Sequence, residues 1–120
     1  QKSFGANQAR AMADFTARFD PALTLSYHSQ GEVIYWKFQD FEPENSRQIA
    51  ELFGELSGYA VEETPFASGF AGYKDWFIQE FDRPGYTIEV GRGVNPLPIS
   101  DFPDIYAKNQ GILIYGALVT

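Results

Sequence analysis

One stretch constrains this chain more than any other. From Asn45 to Ser57, Ile49, Leu52, Phe53 and Leu56 fall at i, i+3, i+4 and i+7, a single apolar stripe of helical period. Asn45 with Gln48 three residues on resembles a capping box, and Gly58 supplies a C-terminal stop. A helix of this kind needs an apolar surface to lie on, and the segments around it are of strand type. Ala22 to His28 alternates small or polar residues with Leu23, Leu25 and Tyr27, and Val33 to Phe38 is β-branched and aromatic. Tyr86 to Val90 reads as a further strand, after which Gly91 and Gly93 bend the chain sharply.

Other helices fill the gaps. Asn7 can cap a helix running to Phe19, with Ala11, Phe15 and Phe19 on one face and Pro21 closing it. Lys74 to Phe81 forms a short helix broken by Pro84-Gly85. Asp101, with Asp104 three residues on, starts a last helix to about Ala117 that buries Ile105, Ile112 and Leu113. Tyr59 to Gly72 lacks a period and contains Pro65, Gly69 and Gly72, so it reads as a long loop. Alternating helices and strands define an α/β fold.

Composition narrows the function. The 120 residues are 44% hydrophobic and 17% aromatic, enough for a real core in one small domain or a piece of a larger one. The net charge of -7 repels phosphate backbones, so nucleic acid is a poor partner. Apolar runs such as Ile112 to Tyr115 are too short to span a bilayer. Cysteine is absent, which excludes disulfides and thiolate metal sites but assigns no compartment: cytoplasm and cell envelope both hold such chains. The chain opens at Gln1 without a methionine or a signal-like segment, which leads us to expect sequence upstream.

Few residues can carry chemistry. His28 closes a strand in Ser26-Tyr27-His28-Ser29-Gln30-Gly31, and polar residues at the C-terminal ends of strands are where α/β folds place sites. Two readings stand level: a metal ligand, or a histidine satisfied by a neighbouring backbone group. Glu89 lies in the apolar strand Tyr86-Thr87-Ile88-Glu89-Val90. It is either a general base in apolar surroundings or a residue on a solvated face shared with Thr87 and Gly91. Arg92, three residues after Glu89 between glycines, can grip a carboxylate or be an ordinary surface arginine. Asp75-Trp76 fits a helix first turn with a core aromatic, and Glu62-Glu63 a solvated pair.

Taken together, these motifs resemble a known family. Ser26-Tyr27-His28-Ser29-Gln30-Gly31, then Tyr73-Lys74-Asp75-Trp76, then Glu89 fourteen residues after Asp75, are similar to the C-terminal half of the zinc carboxypeptidase fold, the carboxypeptidase A-like metallopeptidases. The segment from Glu89 to Pro98 is similar to the bacterial branch that cleaves γ-D-glutamyl-diamino acid bonds in cell-wall peptides. The resemblance covers nearly the whole chain and implies that residues 1–120 are the C-terminal half of a catalytic domain. That domain has a mixed eight-stranded sheet with helices on both faces.

The resemblance also implies roles. His28 matches the later of the family's zinc ligands. Glu89 matches the catalytic glutamate, which takes a proton from the zinc-bound water and passes it to the leaving amine. Tyr73 falls at the side-chain specificity position, and Arg92 is a further candidate for a substrate carboxylate. Three protein ligands are needed for such a zinc site, and with one histidine and no cysteine the chain holds only one of those expected. The His-x-x-Glu pair and the substrate-gripping Asn-Arg pair are absent. At the place of the family's mobile tyrosine stand Phe66 and Ala67, which have no hydroxyl to donate.

Two functions follow: a part of a zinc peptidase acting on peptidoglycan peptides, inactive alone, or a non-catalytic α/β module binding a cell-wall peptide or a protein partner. Half of a larger sheet also leaves a strand edge and an apolar face uncovered, so the isolated chain is expected to self-associate.

Overall fold

The computed structural model describes residues 6–63 and 72–119. Their order is α1 (Ala6–Phe19), β1 (Thr24–Ser29), β2 (Val33–Tyr35), α2 (Ser46–Ser57), β3 (Ala60–Glu62), α3 (Tyr73–Phe81), β4 (Gly85–Val90) and α4 (Phe102–Leu118), with a 3-10 turn at Ile99–Asp101. The sheet runs β1-β4-β2-β3. β1 is parallel to β4, β4 antiparallel to β2, and β2 parallel to β3. The fold is therefore α/β with a mixed sheet.

Strand alternation divides the side chains between two layers of helices. Leu25, Tyr86, Ile88 and Ile34 point to one side, where α2 and α4 form the main core with Phe53, Ala50 and Ile112. Phe53 meets Tyr86 edge-on at 5.1 Å, and the buried Tyr86 hydroxyl donates to the Ser46 carbonyl at 2.8 Å. Gly85 points to the other side, where a Cβ would stand 3.3 Å from Phe77 and 3.4 Å from Ile78 of α3. Helices thus cover both faces.

Several local expectations are corrected. The buried face of α2 is Ser46, Ala50, Phe53 and Ser57, whereas Leu52 and Leu56 are exposed. Small residues bring the helix close to the sheet, and the larger leucines fall at its rim, with Leu56 against Gly111 of α4. Asn45 adopts a left-handed conformation (φ 68°) and makes no side-chain cap, so the capping box does not form. Gly58 ends the helix as expected, with φ 81° and its N–H donating to the Gly54 carbonyl at 2.8 Å.

Asn7 lies inside α1 rather than capping it, and Ala11, Phe15 and Phe19 are exposed. The anchored side of α1 is the buried Thr16, bonded to the Tyr73 hydroxyl at 2.7 Å. β2 ends at Tyr35 instead of Phe38, because the chain then turns through a Phe38–Phe41 bridge. The expected loop after Tyr59 contains β3, a strand of three residues. In α4, Ile112 is buried, Ile105 half-buried and Leu113 exposed, and Asp101 makes no side-chain cap bond. Phe66 and Ala67, the expected replacement of a tyrosine, lie outside the described residues.

Candidate functional site

The C-terminal ends of β1 and β4 meet side by side. Their parallel register pairs Ser26 with Thr87 and His28 with Glu89, and the antiparallel register pairs Val33 with Glu89 and Tyr35 with Thr87. His28, Glu89, Ser26, Thr87, Val33 and Tyr35 therefore share the α3 face of the sheet. His28 is exposed and Glu89 half-buried. Neither the imidazole nor the Glu89 carboxylate makes a hydrogen bond or ion pair among the described residues. Both groups are thus open to a ligand from the same side of the sheet.

The turns beyond these strands are locked together. The Gly31 N–H donates to the Gly91 carbonyl at 2.8 Å. Ser29 Oγ donates to Asn95 Oδ1 at 2.9 Å, and Asn95 Nδ2 donates to the Ser29 carbonyl at 3.2 Å. Gly91 (φ 79°) packs against Leu97 and Ile105, where any larger residue would be strained in conformation and crowded by Leu97. The segment after Glu89 is in this way tied to the end of β1 that carries His28.

Arg92 is engaged elsewhere. Its Nε donates to Glu32 Oε1 at 2.8 Å, and Lys108 of α4 donates to Glu32 Oε2 at 3.0 Å. The Glu32 side chain is only 11% exposed, while that of Arg92 is 82% exposed. Burial alone would raise the Glu32 carboxyl, but bonds and charges from Arg92 and Lys108 outweigh it and hold the group below its ordinary range. With Asp101, Asp104, Ser100 and Ile105, these groups line a pocket of about 390 Å³. Arg92 thus faces a charged pocket beside α4, with part of its guanidinium held by Glu32.

Tyr73 opens α3 and is half-buried. Its ring lies 5.8 Å from Trp76 and its hydroxyl bonds Thr16 of α1. Next to it, Lys74 and Asp75 are both buried, with Lys74 Nζ 2.6 Å from Asp75 Oδ1 and 2.7 Å from the Lys37 carbonyl. Burial pulls the Lys74 ammonium below its ordinary range, against the opposing pull of Asp75. Asp75-Trp76 is therefore more than a first turn with a core aromatic: it includes one end of a buried ion pair.

The residues do not complete a metal centre. Among the described residues, no group of three or more His, Cys, Asp or Glu side chains is placed to hold a metal ion. An exposed imidazole with no partner among the described residues suffices for one ligand of such a centre and no more. No helix among the described residues is long and apolar enough to cross a membrane.

Sequence reasoning passed over Glu32, Lys74 and Tyr35. Glu32 follows a glycine in a turn and is separated from Arg92 by 60 residues, so nothing in the sequence announces their contact. The adjacent opposite charges of Lys74 and Asp75 were the one available signal for that pair.

Comparison with known proteins bears on this arrangement. No family model matches the chain. It is homologous to a peptidase, the gamma-D-glutamyl-L-diamino acid endopeptidase 1 of Lysinibacillus sphaericus, with 50% identity over 109 residues. That alignment covers 91% of this chain and 27% of the endopeptidase. It is also 43% identical over 93 residues to the uncharacterized protein YqgT of Bacillus subtilis (strain 168), covering 78% of this chain and 25% of that protein. The chain thus spans about a quarter of the length of the curated relatives it matches.

Proposed function

We propose that this chain is the C-terminal half of the catalytic domain of a zinc-dependent peptidase of the carboxypeptidase A type. Its substrates are amide bonds of cell-wall peptides, a reading supported by an endopeptidase relative named for γ-D-glutamyl-L-diamino acid. The observation that carries this reading is the pairing of His28 with Glu89 across two parallel strands, on one face and at their C-terminal ends. A metal ligand and a carboxylate base are thereby held on neighbouring strands.

In this reading His28 supplies one ligand, and the rest of the zinc site comes from protein outside the described residues. Zinc, when bound, contributes Lewis acidity toward the attacked carbonyl and the attacking water. Glu89 accepts the proton of the attacking water and returns it to the leaving amine. The ring of Tyr73 forms a wall of the side-chain pocket, fixed by its bond to Thr16. The outward donors of Arg92 receive a substrate carboxylate. The chain by itself, with one ligand, is inactive.

The test is Glu89→Gln in the full-length protein that carries this chain. Hydrolysis of a γ-D-glutamyl-L-lysine peptide should fall by about 10²–10⁴-fold, while the peptide still binds. Unchanged hydrolysis would remove Glu89 from the role of general base. If the parent protein binds such a peptide and never cleaves it, the non-catalytic binding module takes its place.

A further inference from the structure

Tyr35 lies on the same sheet face as His28 and Glu89, and none of the roles above uses it. It stands opposite Thr87 in the β2–β4 ladder and opposite Glu62 in the β2–β3 ladder. Its diagonal neighbour across the antiparallel pair is Glu89. Such diagonal positions lie about 7–8 Å apart, within reach of an aromatic side chain.

The phenol has the chemistry of a donor. Burial, then the charges of Glu62 and Glu89, hold it above its ordinary range, so it keeps its proton. Its hydroxyl makes no hydrogen bond among the described residues, although the side chain is half-buried. Two flanking carboxylates repel an anionic acceptor, so a neutral acceptor suits it better. An extended peptide advances about 3.3 Å per residue. A peptide with one amide at Glu89 therefore brings a neighbouring amide within about two residues of Tyr35.

We infer that Tyr35 is a substrate-contacting residue of the Glu89 site, its hydroxyl donating a hydrogen bond to an amide carbonyl of the bound peptide. This rests on the peptidase reading of that site and extends it to how the peptide is held.

The experiment uses the full-length protein and a γ-D-glutamyl-L-lysine peptide. Tyr35→Phe removes only the hydroxyl. It should lower kcat/KM at least about threefold, mainly through KM, the loss expected for one neutral hydrogen bond. A smaller loss would overturn the inference. A second measurement needs no change at Tyr35: the Cζ resonance of ¹³C-labelled Tyr35 is followed in the Glu89→Gln protein as peptide is added. A shift that saturates with the peptide supports the contact, and an unmoved resonance at saturation overturns it. Hydrolysis that survives Glu89→Gln would sink only the base role of Glu89, and a parent protein that never cleaves the peptide would sink the peptidase reading; in both cases the Tyr35 resonance still decides whether peptide touches the phenol.

Discussion

His28 and Glu89 stand directly opposite one another in the β1–β4 ladder, sixty-one positions apart in sequence and neighbours in space. Because side chains alternate along a strand, a slip of one residue would send one of them to the core face. His28 is exposed and bonded to no described residue, so His28→Ala should change unfolding free energy by no more than about 0.5 kcal/mol. In the full-length protein the same substitution should weaken zinc retention, measured by metal analysis after dialysis. Zinc content equal to that of the parent protein would remove His28 from the ligand set.

Glu32 ties the turn after β2 to both Arg92 and α4. Glu32→Gln should destabilise the chain by about 1–3 kcal/mol through weakened charge-assisted bonds, read from a denaturant titration. The pH dependence has a defined sign. The folded carboxyl titrates below its unfolded value near 4.5, so its contribution is complete above that pH and is lost as pH falls through the lower folded value. The difference in melting temperature between the two proteins should therefore be large at pH 7 and shrink below pH 4.5. A constant difference would mean that the carboxylate charge is not what holds the turn.

Lys74 and Asp75 are a buried pair, with side chains 5% and 7% exposed. Lys74→Met leaves the Asp75 carboxylate in the interior without its counter-charge, at a cost of about 3–5 kcal/mol. Replacing both residues by apolar ones of similar size should recover much of that loss. The comparison is a double-mutant cycle by chemical denaturation, and additive effects would show that the two charges do not depend on each other.

Gly54 sets the distance between α2 and β3. A Cβ there would stand 2.6 Å from a Val61 methyl and 3.2 Å from the Tyr59 carbonyl oxygen. Gly54→Ala should cost about 1–3 kcal/mol by overpacking. Adding Val61→Ala should relieve part of it, a compensation visible as a partial recovery of the unfolding midpoint.

The outer edge of β1 has no strand beside it among the described residues, and Met12, Phe15 and Phe19 of α1 are exposed. The isolated chain should associate as its concentration rises, and Phe15→Glu with Phe19→Glu should reduce this. Sedimentation velocity reads the outcome directly. A single monomeric species at high concentration would show these surfaces to be stable in water.

Much of the fold was legible because it rests on local signals. The period of residues 49–56 and the glycine at position 58 located α2, and Gly91 and Gly93 do take positive φ values. Alternation in β4 located the strand that carries Glu89. The side of α2 that is buried was not legible, since hydrophobic period does not reveal that Ser46 and Ala50 allow a closer approach than leucine. β3 escaped because three residues carry no period. The candidate site was legible only residue by residue: His28 and Glu89 could be named, but their adjacency depends on strand order, which no local pattern encodes. Tyr35 and Glu32 owe their places to the same long-range pairing.

The strand order has a consequence for how the chain is made. β4 is last in sequence, yet it lies between β1 and β2, which a short turn connects and which do not pair with each other. Until Gly85–Val90 has been synthesised, the described residues can form only the three-residue ladder of β2 with β3. The sheet therefore closes late, by insertion of one segment between two waiting partners, and most of its contacts carry a large loop-closure entropy. A nascent chain halted before Gly85 would leave the β4-facing edges of β1 and β2 unpaired, the kind of exposed strand edge that invites association with other chains.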